Sequence, residues 1–158
     1  MRSAKPQVTR AALLSIFFSL GLVTAAIAGD LLKPVNKGPD DVAILGYDPV
    51  AYFTESRPVK GKTEFSHSWQ DANWHFASAK HRDMFAAEPE RYAPQFGGHC
   101  AMALTEDVIK VVDPEAWTIS DGKLYLTFSM KGREKFRKDI PGNIKKSEDN
   151  WAKVQRQN

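Results

Sequence analysis

The sequence predicts an α+β domain: a small antiparallel sheet made of hairpins, covered by one short helix and by C-terminal helices. Three observations carry this prediction. Aromatic residues alternate with polar ones through Phe65, His67 and Trp69, and again through Trp74 and Phe76, which is the period of a half-buried strand. Asp121-Gly122 separates Trp117-Thr118-Ile119-Ser120 from the run Lys123 to Phe128, and Asp-Gly suits the type I′ turn whose twist matches its strands. Beyond residue 130, Phe136, Ile140, Ile144 and Trp151 are placed to line one side of helices packed on the sheet.

The 158 residues carry a formal charge of +3, and Arg2, Lys5 and Arg10 supply all of it, because the first 28 residues hold no acid. Those 28 residues run from a basic start through AALLSIFFSLGLVTAA to Ala26-Ile27-Ala28. This is the form of a secretory signal peptide cleaved after Ala28, so the expected location is the periplasm or outside the cell. No later stretch is apolar enough to span a bilayer, so no membrane contact is expected after cleavage. About 130 residues remain, enough for one domain that needs no disulfide staples. A single cysteine excludes an intramolecular disulfide framework and a multi-cysteine zinc ribbon.

Along the mature chain, residues 29–41 read as an extended segment leading into a domain over 42–155. Proline fixes a turn at Asp48-Pro49, followed by a short buried turn or strand through Tyr52. Strands are expected over 65–69, 73–77, 108–112, 117–120 and 123–128. Ser78 is placed to cap a helix over 79–87 that Pro89 stops. The C-terminal helices are expected over 131–139 and 143–154, broken by Pro141-Gly142. This basic end beside an acidic body reads as intramolecular complementarity, and no nucleic-acid partner is expected.

Gly97-Gly98-His99-Cys100-Ala101-Met102 places imidazole, thiol and thioether after a loop whose glycines permit unusual backbone angles. Such soft donors suit Cu(I) or Zn(II). The candidate ligands are Cys100 and His99, with His81 from the first turn of the 79–87 helix and Met102. From this segment alone Cys100 reads first as a small buried apolar residue after a tight turn. As a nucleophile it lacks a base and an orienting third group fixed by spacing, so a thiol enzyme ranks last. Asp48 is the one carboxylate expected to be partly buried, accepting backbone N–H bonds in its own turn.

The chain as a whole resembles the secreted YHS-domain proteins. The resemblance rests on Gly46-Tyr47-Asp48-Pro49-Val50-Ala51-Tyr52-Phe53, on Phe76-Ala77-Ser78 through Phe85 to Tyr92, and on Pro94-Gln95-Phe96-Gly97-Gly98-His99-Cys100-Ala101. It continues through Asp121-Gly122-Lys123-Leu124-Tyr125-Leu126 and Asp139-Ile140-Pro141-Gly142-Asn143-Ile144 with Trp151. It implies a small metal-binding module. The thiol positions of the wider superfamily fall here at Ala51, Ala77 and His81, so two are lost and one is a histidine.

Two functions follow as expectations. The first is an exported metal-binding module, copper preferred over zinc, using Cys100, His99, His81 and Met102. The alternative is a non-catalytic module holding a small ligand or partner segment in an aromatic groove of Tyr47, Tyr52, Trp69, Trp74 and Phe96.

Overall fold

A computed structural model of the chain describes residues 34–156. The predicted signal peptide and the first residues of the 29–41 segment lie outside them. The fold is α+β, with its strands in two separate antiparallel hairpins where one sheet was expected. Strands β1 (Lys62–Trp69) and β2 (Ala72–Phe76) pair with a register shift between Lys62 and Ser66. Strands β3 (Asp113–Ser120) and β4 (Lys123–Thr127) form the second hairpin. Asp121 and Gly122 both take positive φ, +50° and +71°, as the predicted type I′ turn demands.

The run Val108-Ile109-Lys110-Val111-Val112, expected as a strand, is irregular. Its backbone bonds go elsewhere: Cys100 N donates to Lys110 O at 3.2 Å and Val108 N to Ala103 O at 3.1 Å. β-Branched side chains favour a strand only where a pleated surface receives them, and Val108 and Val111 are 40% and 63% exposed. Strand β3 starts at Asp113 instead, crossing Pro114 with a register shift between Asp113 and Trp117. Such an irregularity is where a strand tolerates a residue without an N–H.

The Asp-Pro turn leads into a single helical turn, α1 (Ala51–Thr54), which settles the turn-or-strand alternative for helix. Helix α2 (Ala79–Ala87) is capped as expected, with Ser78 Oγ accepting from His81 N at 3.2 Å. Short helices α3 (Pro89–Tyr92) and α4 (Ala101–Leu104) flank a tight turn over Gln95–Gly98. The C-terminal pair is α5 (Met130–Arg137) and α6 (Ile140–Arg156). Pro141-Gly142 therefore opens α6 and breaks nothing. In the first turn a proline gives up no intrahelical bond, and Asp139 Oδ1 accepts from Gly142 N at 3.0 Å.

Two apolar clusters hold these elements. In the first, Phe85 of α2 lies 5.1–5.7 Å, centroid to centroid, from the rings of Phe76, Trp74 and Trp69, and Leu124 and Leu126 of β4 join the same cluster. In the second, Phe96, Leu104, Tyr125 and Phe136 meet Ile140, Ile144 and Trp151. The packed body begins before residue 42. Val35 is buried in the first cluster, and Asn36 bonds the 95–98 turn through its N–H to Gly97 O at 2.8 Å and its amide to Gly98 O at 3.0 Å. A Cβ on Gly97 would stand 1.6 Å from Pro34 O, so this approach requires glycine.

Candidate functional site

Asp48 sits at the junction of the Asp-Pro turn, β2 and α2, with its side chain wholly buried. Its Oδ1 accepts from Val50 N at 2.8 Å and Ala51 N at 3.3 Å. Its Oδ2 accepts from Ala77 N at 2.8 Å and faces His81 Nδ1 at 2.7 Å. A buried carboxylate survives folding only when its lone pairs are taken up in this way. With Nδ1 donating to Asp48, the other ring nitrogen faces Thr54 Oγ1 at 3.4 Å, while that hydroxyl gives its proton to Val50 O at 3.1 Å. The His81 side chain is 12% exposed.

The other predicted ligands lie in different surroundings. Cys100 is fully buried and caps α4, its Sγ accepting from Ala103 N at 3.3 Å and Phe128 N at 3.2 Å. Burial pushes its thiol up despite those two bonds, so at neutral pH it is a protonated sulfur and a poor nucleophile. His99 is 3% exposed and lies 5.4 Å from the Trp151 ring. Met102 packs between the two apolar clusters. His81 is instead engaged with Asp48. Among the described residues no three His, Cys, Asp or Glu side chains group so as to hold a metal ion. The donors present thus fit one oriented imidazole and not a resident multi-thiol site.

Of the five aromatic residues named for a groove, Trp69, Trp74 and Phe96 line one cleft and Tyr47 and Tyr52 do not. A cleft of about 690 Å³ lies between the tip of the first hairpin, the 93–97 segment and the end of α6, and Trp69, Phe96 and Trp151 line it, with Trp74 behind. Tyr52 and Tyr47 are elsewhere. The Tyr52 hydroxyl donates to Pro114 O at 3.0 Å inside the core, and burial pushes it far above the usual tyrosine range. Tyr47 lies beneath Lys60 Nζ, 4.9 Å from the ring centre.

Around the aromatic wall stand Gln70, Gln95, Gln155, Glu90 and Lys123, whose side chains make no hydrogen bond or ion pair within the described residues. Its volume falls within the range of small-ligand sites. No protein family, curated protein or solved structure matches this chain.

Sequence reasoning missed two things. Trp151 packs against the cluster that includes Tyr125 of β4, as expected, but on α6 it also lies one turn from Gln155 and borders the cleft. The pairing of Asp48 with His81 was not foreseen. The signal for it was available: Ala51, Ala77 and His81, the three positions given to thiols by the resemblance, all hydrogen-bond Asp48.

Proposed function

We propose that the chain is an exported, non-catalytic binding module that holds a small polyhydroxylated ring, a sugar, against the aromatic wall of the cleft. One observation carries the reading: half-buried Trp69 and Trp151 share a cleft with six polar side chains, Asp71 among them, that no side chain or backbone group of the described residues engages. A sugar presents C–H groups on one face, which pack on an indole, and hydroxyls around its edge that both give and take hydrogen bonds. Each glutamine offers a carbonyl and an amino group, so three of them match hydroxyls in either role. Asp71 and Glu90 outweigh Lys123 by one charge, which disfavours an anionic ligand and leaves a neutral sugar acceptable. The signal-like leader supports export.

The test is calorimetric titration of the purified protein with cellobiose and chitobiose, followed by tryptophan fluorescence. Binding should weaken at least about tenfold in Trp151→Ala and persist in Trp117→Phe, which lies outside the cleft. No heat from either sugar, or equal affinity in Trp151→Ala, ends the reading.

A second reading, a copper or zinc ion at His81, is favoured by the Asp48 contact, because a carboxylate on one ring nitrogen orients the other for coordination. With one imidazole at this centre, the remaining donors would come from outside the chain. Titration with Cu(I) and Zn(II) separates the cases. Affinity lost in His81→Ala and kept in Cys100→Ala favours this ion site, and equal affinity in all three proteins removes it.

A further inference from the structure

A second hollow, of about 480 Å³, opens beside the Cys100 cap. The cap creates it. Cys100 holds two segments together, giving its N–H to Lys110 O and taking the Phe128 N–H on its sulfur. Between those segments lie Met102, Val108 and Phe128, with Lys110, Lys131 and Lys135 around them.

Two properties of this hollow point to a ligand class. The described residues include five exposed large apolar side chains; two of them, Val108 and Phe128, line the hollow, and Val111 and Met130 belong to the same two segments without lining it. Large exposed apolar residues that gather instead of scattering mark an interaction site. The charge around them is one-sided: three lysines line the hollow against one acid, Glu106, which pairs with Lys135 at 3.2 Å. Lys110 Nζ stands 4.6 Å above the Phe128 ring centre, an arrangement that keeps an ammonium at the edge of an apolar surface. Lys131 has no ion-pair partner among the described residues. An apolar floor with unneutralised ammonium groups at its margin is complementary to an alkyl chain ending in an anion.

We propose that this hollow binds a medium-chain alkyl carboxylate, the chain lying on Val108 and Phe128 and the carboxylate meeting Lys110 and Lys131. The site is separate from the sugar cleft and does not depend on it. Decanoate is the probe, titrated calorimetrically into the purified protein beside decyltrimethylammonium, which has the same chain and the opposite charge, and beside phosphatidylglycerol vesicles.

Decanoate should bind at micromolar to low millimolar concentration and decyltrimethylammonium at least about tenfold more weakly. Phe128→Glu should reduce decanoate affinity at least about tenfold, and Lys131→Glu should narrow or reverse the preference between the two detergents. Both positions are exposed, so circular dichroism and melting should match the parent. Trp151→Ala should leave decanoate binding unchanged, which keeps this test apart from the sugar reading. Equal binding of both detergents, no effect of Phe128→Glu, or binding to the vesicles alone would each overturn the proposal.

Discussion

Asp48 and Cys100 are both wholly buried acids that take backbone N–H bonds at the start of a short helix, yet they end in opposite chemical situations. Asp48 gathers three backbone donors and an imidazole from the start of α1, the residue after β2, and α2. Cys100 gathers two longer bonds to sulfur, and burial outweighs them in holding its proton on. A carboxylate needs a full set of donors to be buried at all, while a thiol is tolerated inside as a small apolar group. Asp48 therefore ties segments of the first half together through a full set of strong donors, and Cys100 ties the 108–112 and 128 segments through weaker bonds to sulfur, one backbone bond and apolar packing.

The sharpest way to break this contrast is Asp48→Ala. It strands the Val50, Ala51 and Ala77 N–H groups and removes the partner of His81. The expected loss is about 3–5 kcal/mol in urea denaturation. Asp48→Asn should recover part of it, since the amide oxygen still accepts. If Asp48→Ala costs no more than a surface substitution, the carboxylate does not hold the first half together.

Gly97→Ala attacks the loop that delivers Cys100. A methyl there would collide with the Pro34 carbonyl, and the residue would keep a φ of +59°. A loss of about 3 kcal/mol is expected by the same measurement. Near-neutral stability would mean that the 34–36 segment moves aside freely.

Cys100→Ala should cost less, about 1–2 kcal/mol, because a small buried group leaves with no charge exposed. It also carries a pH signature. A thiol whose folded pKa is raised contributes stability that is complete below the unfolded value, about 8.5, and is lost as pH rises above it. Stability of the parent should therefore fall more steeply than that of Cys100→Ala from about pH 8.5 upward. Alkylation by iodoacetamide should likewise stay slow at pH 8. Fast alkylation at neutral pH would reverse the assignment of Cys100 as a structural thiol.

Local chemistry was legible in the sequence wherever a few neighbouring residues decide the outcome. Asp121-Gly122 fixes its turn by backbone angles alone, Ser78 caps α2 with one oxygen, and Asp48 bonds N–H groups two and three residues on. What could not be read depends on distant partners. Val108 to Val112 has strand-forming side chains but no neighbouring strand, because Cys100 takes the Lys110 carbonyl. Pro141 reads as a break or a start depending on Asp139, whose capping bond is invisible to periodicity. The candidate ligands followed the same pattern. His99, Cys100 and Met102 are adjacent in sequence, yet one meets Trp151, one the backbone of Phe128 and one the space between two cores, while Asp48 joins His81 across 33 positions.

The smallest expected effect comes from Ser147 and bears on whether apolar packing or a hydrogen bond seats α6 on the Cys100 side of the molecule. This hydroxyl of α6 is buried and lies 2.8 Å from both Ala101 O, at the start of the helix that Cys100 caps, and Asn143 O. A hydroxyl has one proton, so only one carbonyl is bonded at a time, and Asn143 O is an acceptor that α6 already supplies for its own helical bonding. Ser147→Ala should therefore cost about 1 kcal/mol, the usual net value of one neutral hydrogen bond. It should also leave the alkaline behaviour of Cys100 unchanged. A cost near that of Asp48→Ala, or faster thiol alkylation, would mean that this single hydroxyl, and not the apolar contacts of Phe136, Ile144 and Trp151, seats α6 over the cap.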